Sequence, residues 1–199
     1  HTRYPLVTGV QTCALPIFRA RSLAHRARLE QAGIQSARGK AAEANVILDK
    51  ILATNPTSDM KAATLMEKGK NLYTLGDADP SAYKAAIEVW KQIAMENPDP
   101  DWRNQALARI GTAQEKTGDF NAALASYYEV FKPATGEPAE FFWFYKAGFA
   151  AAMILESRKD WPEAIRVYEL MASMEGPRAL EAKNRIQQIR LENFIWDGD

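Results

Sequence analysis

Apolar residues recur along this chain three and four positions apart, the period of one helix face, from about residue 20 to the end. No stretch alternates apolar and polar over six residues, so strands are not expected. Helix breakers interrupt the pattern at Asn55-Pro56, Gly76-Asp77, Asn97-Pro98-Asp99-Pro100, Gly118-Asp119, Pro133 to Pro138 and Gly176-Pro177. The stretches between them have the usual length of globular helices and predict roughly nine helices in an all-α chain.

One arrangement recurs four times. Ala44, Leu48 and Ile51 precede Asn55-Pro56; Ala86, Trp90 and Ile93 precede Asn97-Pro98; Ala123, Tyr127 and Val130 precede Pro133; Ala164, Tyr168 and Met171 precede Gly176-Pro177. A small residue, a bulky one four later and an apolar one three beyond that lie on one helix face. Another helix comes before each segment, carrying Ala32 in the first case, Leu65, Gly69 and Leu72 in the second, Leu107, Ile110 and Gly111 in the third, and Gly148 in the fourth. A glycine inside a helix costs ~1 kcal/mol against alanine. Its recurrence predicts two helices crossing where no side chain fits.

These residues resemble the tetratricopeptide repeat, a helix–turn–helix unit of about 34 residues. The third copy matches best, through Leu107, Ile110, Gly111, Gly118, Asp119, Phe120, Ala123, Tyr127 and Pro133. The resemblance implies a right-handed α-solenoid of about four repeats, at residues 22–58, 62–98, 102–135 and 139–177. A capping helix would follow at 178–196, with Leu180, Ile186, Ile189 and Phe194 as its apolar stripe and 197–199 as a tail. That helix equally suits the first helix of a fifth repeat. The anchor alanines are spaced 42, 37 and 41 residues apart, wider than the family unit. The excess falls in 77–81, 98–101 and 133–140, with an extra turn in the first helix of the fourth repeat. Such spacing also suits HEAT repeats of about 40–47 residues, but Gly-Asp-Phe followed by Ala and Tyr favours the tetratricopeptide reading.

A hairpin of this kind cannot bury its apolar face alone, so neighbours stack into one continuous core. Ala44, Ala86, Ala123 and Ala164 would let paired helices approach. Trp90, Tyr127 and Tyr168, with Leu48, would fill the space between repeats. By resemblance, first helices line a concave groove, which places Met66, Lys70 and Tyr73, then Ala108, Arg109, Thr112 and Lys116, then Phe142, Tyr145 and Phe149 on it. Leu29 and Gly33 stand where two residues of the family's carboxylate clamp are required, which argues against that clamp. Central basic residues with aromatics toward the C-terminus fit an extended or helical peptide instead.

Composition narrows the function further. Lys+Arg and Asp+Glu are both 25, so the net charge is zero and nucleic acid is not expected as a partner. No apolar run is long enough for a transmembrane segment. One Cys and two His leave no metal spacing, and no phosphate loop or nucleophile elbow is present. No cofactor, small-molecule substrate or catalytic residue is therefore expected. Residues 7–17, Val-Thr-Gly-Val-Gln-Thr-Cys-Ala-Leu-Pro-Ile, resemble a translated sequencing adapter. Residues 1–17 are accordingly expected to be a disordered, artefactual leader, against the alternative of a signal-peptide remnant. Residue 1 is His rather than Met, so an upstream start is expected.

Phe141-Phe142-Trp143-Phe144-Tyr145, with Phe149, cannot all face inward on one helix. They form either a docking patch or a helix buried by its neighbours. Arg19, Arg21, Arg26, Arg28, Arg38 and Lys40 make the N-terminal helix basic, as an acidic-partner surface or a solvated face, with His25 expected at the surface. These features predict a non-catalytic protein–protein interaction scaffold holding a peptide or partner helix. The inter-repeat links, above all Pro177-Arg178-Ala179, resemble those of bacterial envelope proteins such as outer-membrane assembly lipoproteins and Tol-Pal coordinators. The alternative is a C-terminal regulatory arm of a larger enzyme or sensor. Ala123→Leu is expected to overpack the helix contact and lower stability by about 1–3 kcal/mol; an unchanged thermal midpoint would remove that packing assignment.

Overall fold

A computed structural model describes the backbone of residues 10–131, 141–174 and 176–195, with side chains from residue 20 onward. Among the described residues every regular element is a helix: α1 (Val10–Ala37), α2 (Ala41–Leu52), α3 (Ser58–Leu75), α4 (Ser81–Glu96), α5 (Pro100–Lys116), α6 (Phe120–Phe131), α7 (Phe141–Ser157), α8 (Trp161–Ser173) and α9 (Ala179–Asn193). None is long and apolar enough to cross a membrane. Each helix packs on its neighbours in sequence, and further contacts join α1 to α3, α3 to α5 and α5 to α7. The backbones of the even-numbered helices lie farther apart, and α6 and α8 are bridged by the Tyr128 hydroxyl, which donates to Glu163 at 3.1 Å. First helices of successive hairpins thus form a close inner layer, and second helices splay on the outside, the arrangement of an α-solenoid.

Three hairpins share one turn. Gly39 and Gly118 both take φ 77°, and Lys159 takes φ 60°. The next amide, of Lys40, Asp119 or Asp160, donates to a carbonyl five residues back, on Gln35, Gln114 or Leu155, at 2.9 Å each. This left-handed residue with its six-to-one bond ends the first helix and aims the chain into the second. The anchor alanine follows five residues after the left-handed position in all three. The second hairpin inserts Asp77–Ser81 at this place, and there Tyr83 donates to Asp77.

The recurring glycines do what their spacing predicts. A Cβ on Gly69 would lie 2.2 Å from the Trp90 indole nitrogen, and one on Gly111 would lie 2.4 Å from the Tyr127 ring. The four anchor alanines are fully buried, and Leu48, Trp90, Tyr127 and Tyr168 are buried beside them. Trp90 shares one apolar cluster with Ala106, Ile110 and Ala113 of the next repeat and lies 5.9 Å from the Arg109 guanidinium there. Trp90 and Tyr127 press onto the first helix of their own hairpin, because the missing glycine side chain leaves room there. Gly148 meets Met171 at 2.2 Å rather than Tyr168. Twelve residues separate Ala32 from Ala44, Gly111 from Ala123 and Ala152 from Ala164, so Ala152 holds the matching place in α7 and Gly148 lies one turn before it.

The core is uneven. Around α1 and α2 it consists of Ala32, Ala44, Leu48 and Ile51, whereas one continuous cluster runs from α5 to α9. A polar bridge joins the first hairpins: Ser36 donates to buried Asn71 at 2.7 Å, and Asn71 donates to Asn45 at 3.0 Å. His25 corrects the surface expectation, being only 5% exposed. Its face of α1 lies against the α2–α3 link, with Nε2 2.8 Å from the Thr54 hydroxyl. Burial, and then Arg21 and Arg28, hold its pKa below the usual histidine value. In α9 the buried positions are Ala182, Ile186 and Ile189, while Leu180 and Phe194 face solvent. The alanine, not Leu180, falls on the inward face.

α1 begins at Val10, so the backbone of 10–17 is helical where a disordered leader was expected. The side chains of Val10, Leu15 and Ile17, together with residues 1–9, the 132–140 link and the 197–199 tail, lie outside the described residues. The shared turn makes opposite predictions for two substitutions. Gly118→Ala should lose about 1–2 kcal/mol by placing a Cβ in the left-handed region, and Lys159→Gly should gain up to ~1 kcal/mol by relieving it. Paired denaturant titrations measure both.

Candidate functional site

The register of α7 sets its exposed face. With Ala152 at the hairpin contact, Phe142, Lys146, Phe149, Met153 and Glu156 follow one another at spacings of four and three, one stripe along the helix. The backbones of α7 and α9 do not come close, and the two helices meet through the Arg185 and Glu156 side chains. Between them lies a cleft of about 750 Å³, formed by Phe149, Met153 and Glu156 on one side and Leu180, Asn184 and Arg185 on the other. Met153 is 66% exposed and Leu180 69%. A second hollow of about 370 Å³ begins at Pro177 and runs past Arg178 to Phe142 and Lys146.

Polar groups stiffen the cleft. Glu156 accepts from Tyr168 at 2.7 Å and from Arg185 Nε at 3.1 Å, with a second Arg185 bond to its other oxygen. This triad ties α7, α8 and α9 together. Burial works against the Glu156 charge, but the bonds from Arg185 and Tyr168 outweigh it and hold the carboxyl below its usual pKa. Burial and the Glu156 bond push the Tyr168 phenol well up. Glu115 and Tyr127 repeat the carboxylate–tyrosine pair one hairpin earlier. Arg178 lies 3.9 Å over the Phe149 ring and is held from behind by Glu181 at 2.7 Å.

The residues expected to line the groove divide. Met66 is 4% exposed, and its carbonyl accepts from Trp90 at 3.3 Å. Tyr145 is 1% exposed and donates to the carbonyls of Met171 and Met174 at 3.2 and 3.1 Å. Both belong to the core, since each sits one position off the exposed stripe of its helix. Lys70 is exposed beside Glu67 at 3.4 Å, and Lys116 is exposed 3.7 Å from Asp77. Tyr73 is half-buried against Tyr83 and Trp90, with centroids 5.1 and 6.2 Å away. Thr112 donates to the Ala108 carbonyl at 3.0 Å and lies 3.3 Å from the Tyr127 hydroxyl. Arg109 is half-buried between two indoles. Phe142 is exposed, and Phe149 is half-buried 5.7 Å from Tyr168.

Of the aromatic run, Phe144 and Tyr145 are buried, Phe141 and Trp143 half-buried and Phe142 exposed. The buried reading of that run therefore holds for Phe144 and Tyr145, and Phe142 stays at the surface. Sequence reasoning missed Met153, Glu156, Leu180 and Arg185. The twelve-residue spacing from Ala152 to Ala164 was the signal that would have found the first two. Among the described residues no cluster of His, Cys, Asp and Glu is placed to hold a metal.

No family model matches the chain, and no curated protein matches it. A solved structure of pilF from Pseudomonas aeruginosa, reported as a functional characterisation, is similar over 90% of this chain and 95% of that one. The sequence identity is 15% and the TM-score 0.42, a distance at which the likeness says nothing of what this chain binds.

The Glu156 triad makes stability depend on acid. A carboxyl with a folded-state pKa below its unfolded value contributes fully above the unfolded pKa of about 4.3, and loses that contribution as pH falls through the folded one. Thermal midpoints should therefore drop below about pH 4. Glu156→Gln should be less stable at neutral pH and show a shallower acid slope; parallel slopes for the two proteins would contradict the assignment.

Proposed function

We propose that this chain is a non-catalytic interaction scaffold that holds a peptide or partner helix in the trough formed by its first helices. The cleft between α7 and α9 carries this reading. Its apolar wall, Phe149, Met153 and Leu180, is continuous and left open by the described residues. Single exposed apolar side chains are ordinary, but a contiguous apolar cleft rimmed by polar groups fits a partner. The volume accommodates several side chains of an extended or helical segment. The trough positions supported are Lys70, Tyr73, Arg109, Thr112, Lys116, Phe142 and Phe149, with Met153 and Leu180 added. The Pro177-Arg178-Ala179 link, similar to those of bacterial envelope repeat proteins, supports a place in an envelope assembly.

Selection of twelve-residue peptides from a random display library against the purified chain tests this reading. Met153→Glu and Leu180→Glu should each weaken the selected peptides about tenfold or more, since each removes an apolar contact worth roughly 1.5–3 kcal/mol. Thermal midpoints should not move, because both side chains are exposed. Met95, equally exposed on α4, serves as control. Equal losses for Met95→Glu and the cleft variants, or none for the latter, would contradict the reading.

A further inference from the structure

The trough carries a second feature, between α5 and α7. The Arg109 guanidinium lies 5.9 Å from the Trp90 ring centroid and 5.6 Å from that of Trp143. The Lys146 ammonium lies 5.1 Å from the same Trp143 ring and 5.7 Å from that of Phe142. Two cations from two different helices thus share one indole. Neither makes an ion pair or hydrogen bond among the described residues. The acid whose field reaches Arg109 is Glu67, and that carboxylate pairs with Lys70 at 3.4 Å. By contrast, Lys61, Lys68, Arg103, Arg178 and Arg185 all hold a carboxylate from this chain.

The Arg109 Nε is buried without a partner. Burying a charged donor with its bonds unmade is costly, and aromatic faces recover only part of that cost. Burial, and then the positive Arg109, also pull the Lys146 pKa below the usual lysine value. A negative group brought to the exposed parts of both side chains would relieve this repulsion. Lys146 also stands one turn from Phe149 on the α7 stripe, so such a group would be continuous with the apolar cleft.

We propose that Arg109 and Lys146 form an anion subsite for the trough, which takes a carboxylate side chain of a bound acidic polypeptide and seats it beside Trp143. This rests on the trough being a polypeptide-binding surface, and it names the class of polypeptide. The apolar neighbours of that acidic residue would lie along Phe149 and Met153. Two cations in an otherwise balanced chain match a single carboxylate better than a phosphate backbone.

The test uses two synthetic pools of random twelve-residue peptides, identical except that every Asp and Glu in one is Asn or Gln in the other. Binding to the full chain is followed by fluorescence anisotropy. The acidic pool should bind about tenfold more tightly, the worth of one charge-assisted contact. Lys146→Gln should remove that preference while leaving the amide pool unchanged, and Arg109→Gln should remove the preference as well. Lys146 is exposed, so its variant keeps the proposal testable if Arg109→Gln fails to fold. Equal binding of both pools overturns the subsite, as does an acidic preference that survives in Lys146→Gln. Lys146-dependent capture of a single-stranded oligonucleotide in place of the acidic pool overturns it too. If neither pool binds, the subsite falls as well. Peptides selected by display and lost in Met153→Glu would then show that the trough still binds polypeptide of another chemistry.

Discussion

The structure depends on rings pressed against backbone. Inside the second and third hairpins an aromatic side chain of the second helix lies where the first helix has only a glycine hydrogen. Any Cβ on Gly69 or Gly111 would fall within van der Waals contact of Trp90 or Tyr127. This close approach sets the distance between the two helices of a hairpin. The buried alanine four residues before each ring keeps the rest of the crossing narrow. Hairpins of fixed shape then stack with the backbones of the inner helices closer together than those of the outer ones.

Repetition carries the architecture, and its local departures shape the exposed cleft at the C-terminal end. Three turns have the same left-handed residue and the same long bond, although the third uses Lys159 where the others use glycine. In α7 the small residue of the hairpin contact is Ala152, twelfth in its helix as Gly69 is in α3 and Gly111 in α5, so the extra turn expected before it is absent. With Ala152 rather than Gly148 at the contact, Phe144 and Tyr145 turn into the core while Phe142 and Lys146 stay exposed. At the end of the stack α9 stands apart from α7, and the gap is the cleft.

Charge is distributed with the same economy. About half of the lysines and arginines with described side chains pair with a carboxylate, several of them three positions away, and such exposed pairs contribute little to stability. Glu156 differs, since it is largely covered and gathers Tyr168 and Arg185 from two other helices. It therefore fixes the cleft wall. Arg109 and Lys146 differ in the opposite sense: their neighbours are aromatic faces. One end of the trough is thus closed electrostatically, and its middle is left positive.

Much of the fold was legible in the residue order. Helical periodicity, regular breakers and the recurrence of alanine, bulky residue and apolar residue identify hairpins, because these patterns express local geometry that a helix imposes on any sequence. Glycine at 69 and 111 announced a close crossing for the same reason. What lay across that crossing was decided by tertiary packing: Trp90 and Tyr127 meet the glycine of their own hairpin, and Trp90 also reaches Arg109 of the next. The candidate site was legible only in part. By resemblance Arg109, Thr112, Lys116, Phe142 and Phe149 were expected on a groove and none of them is fully buried, but Tyr145 and Met66 were lost to the core by a rotation of one position. His25 among arginines carries no sign of burial until α1 meets the link beyond α2. Leu180 carries no sign that it will face solvent while Ala182 turns inward. Such choices depend on which neighbour arrives at a given face, and that is settled by contacts between residues far apart in the chain.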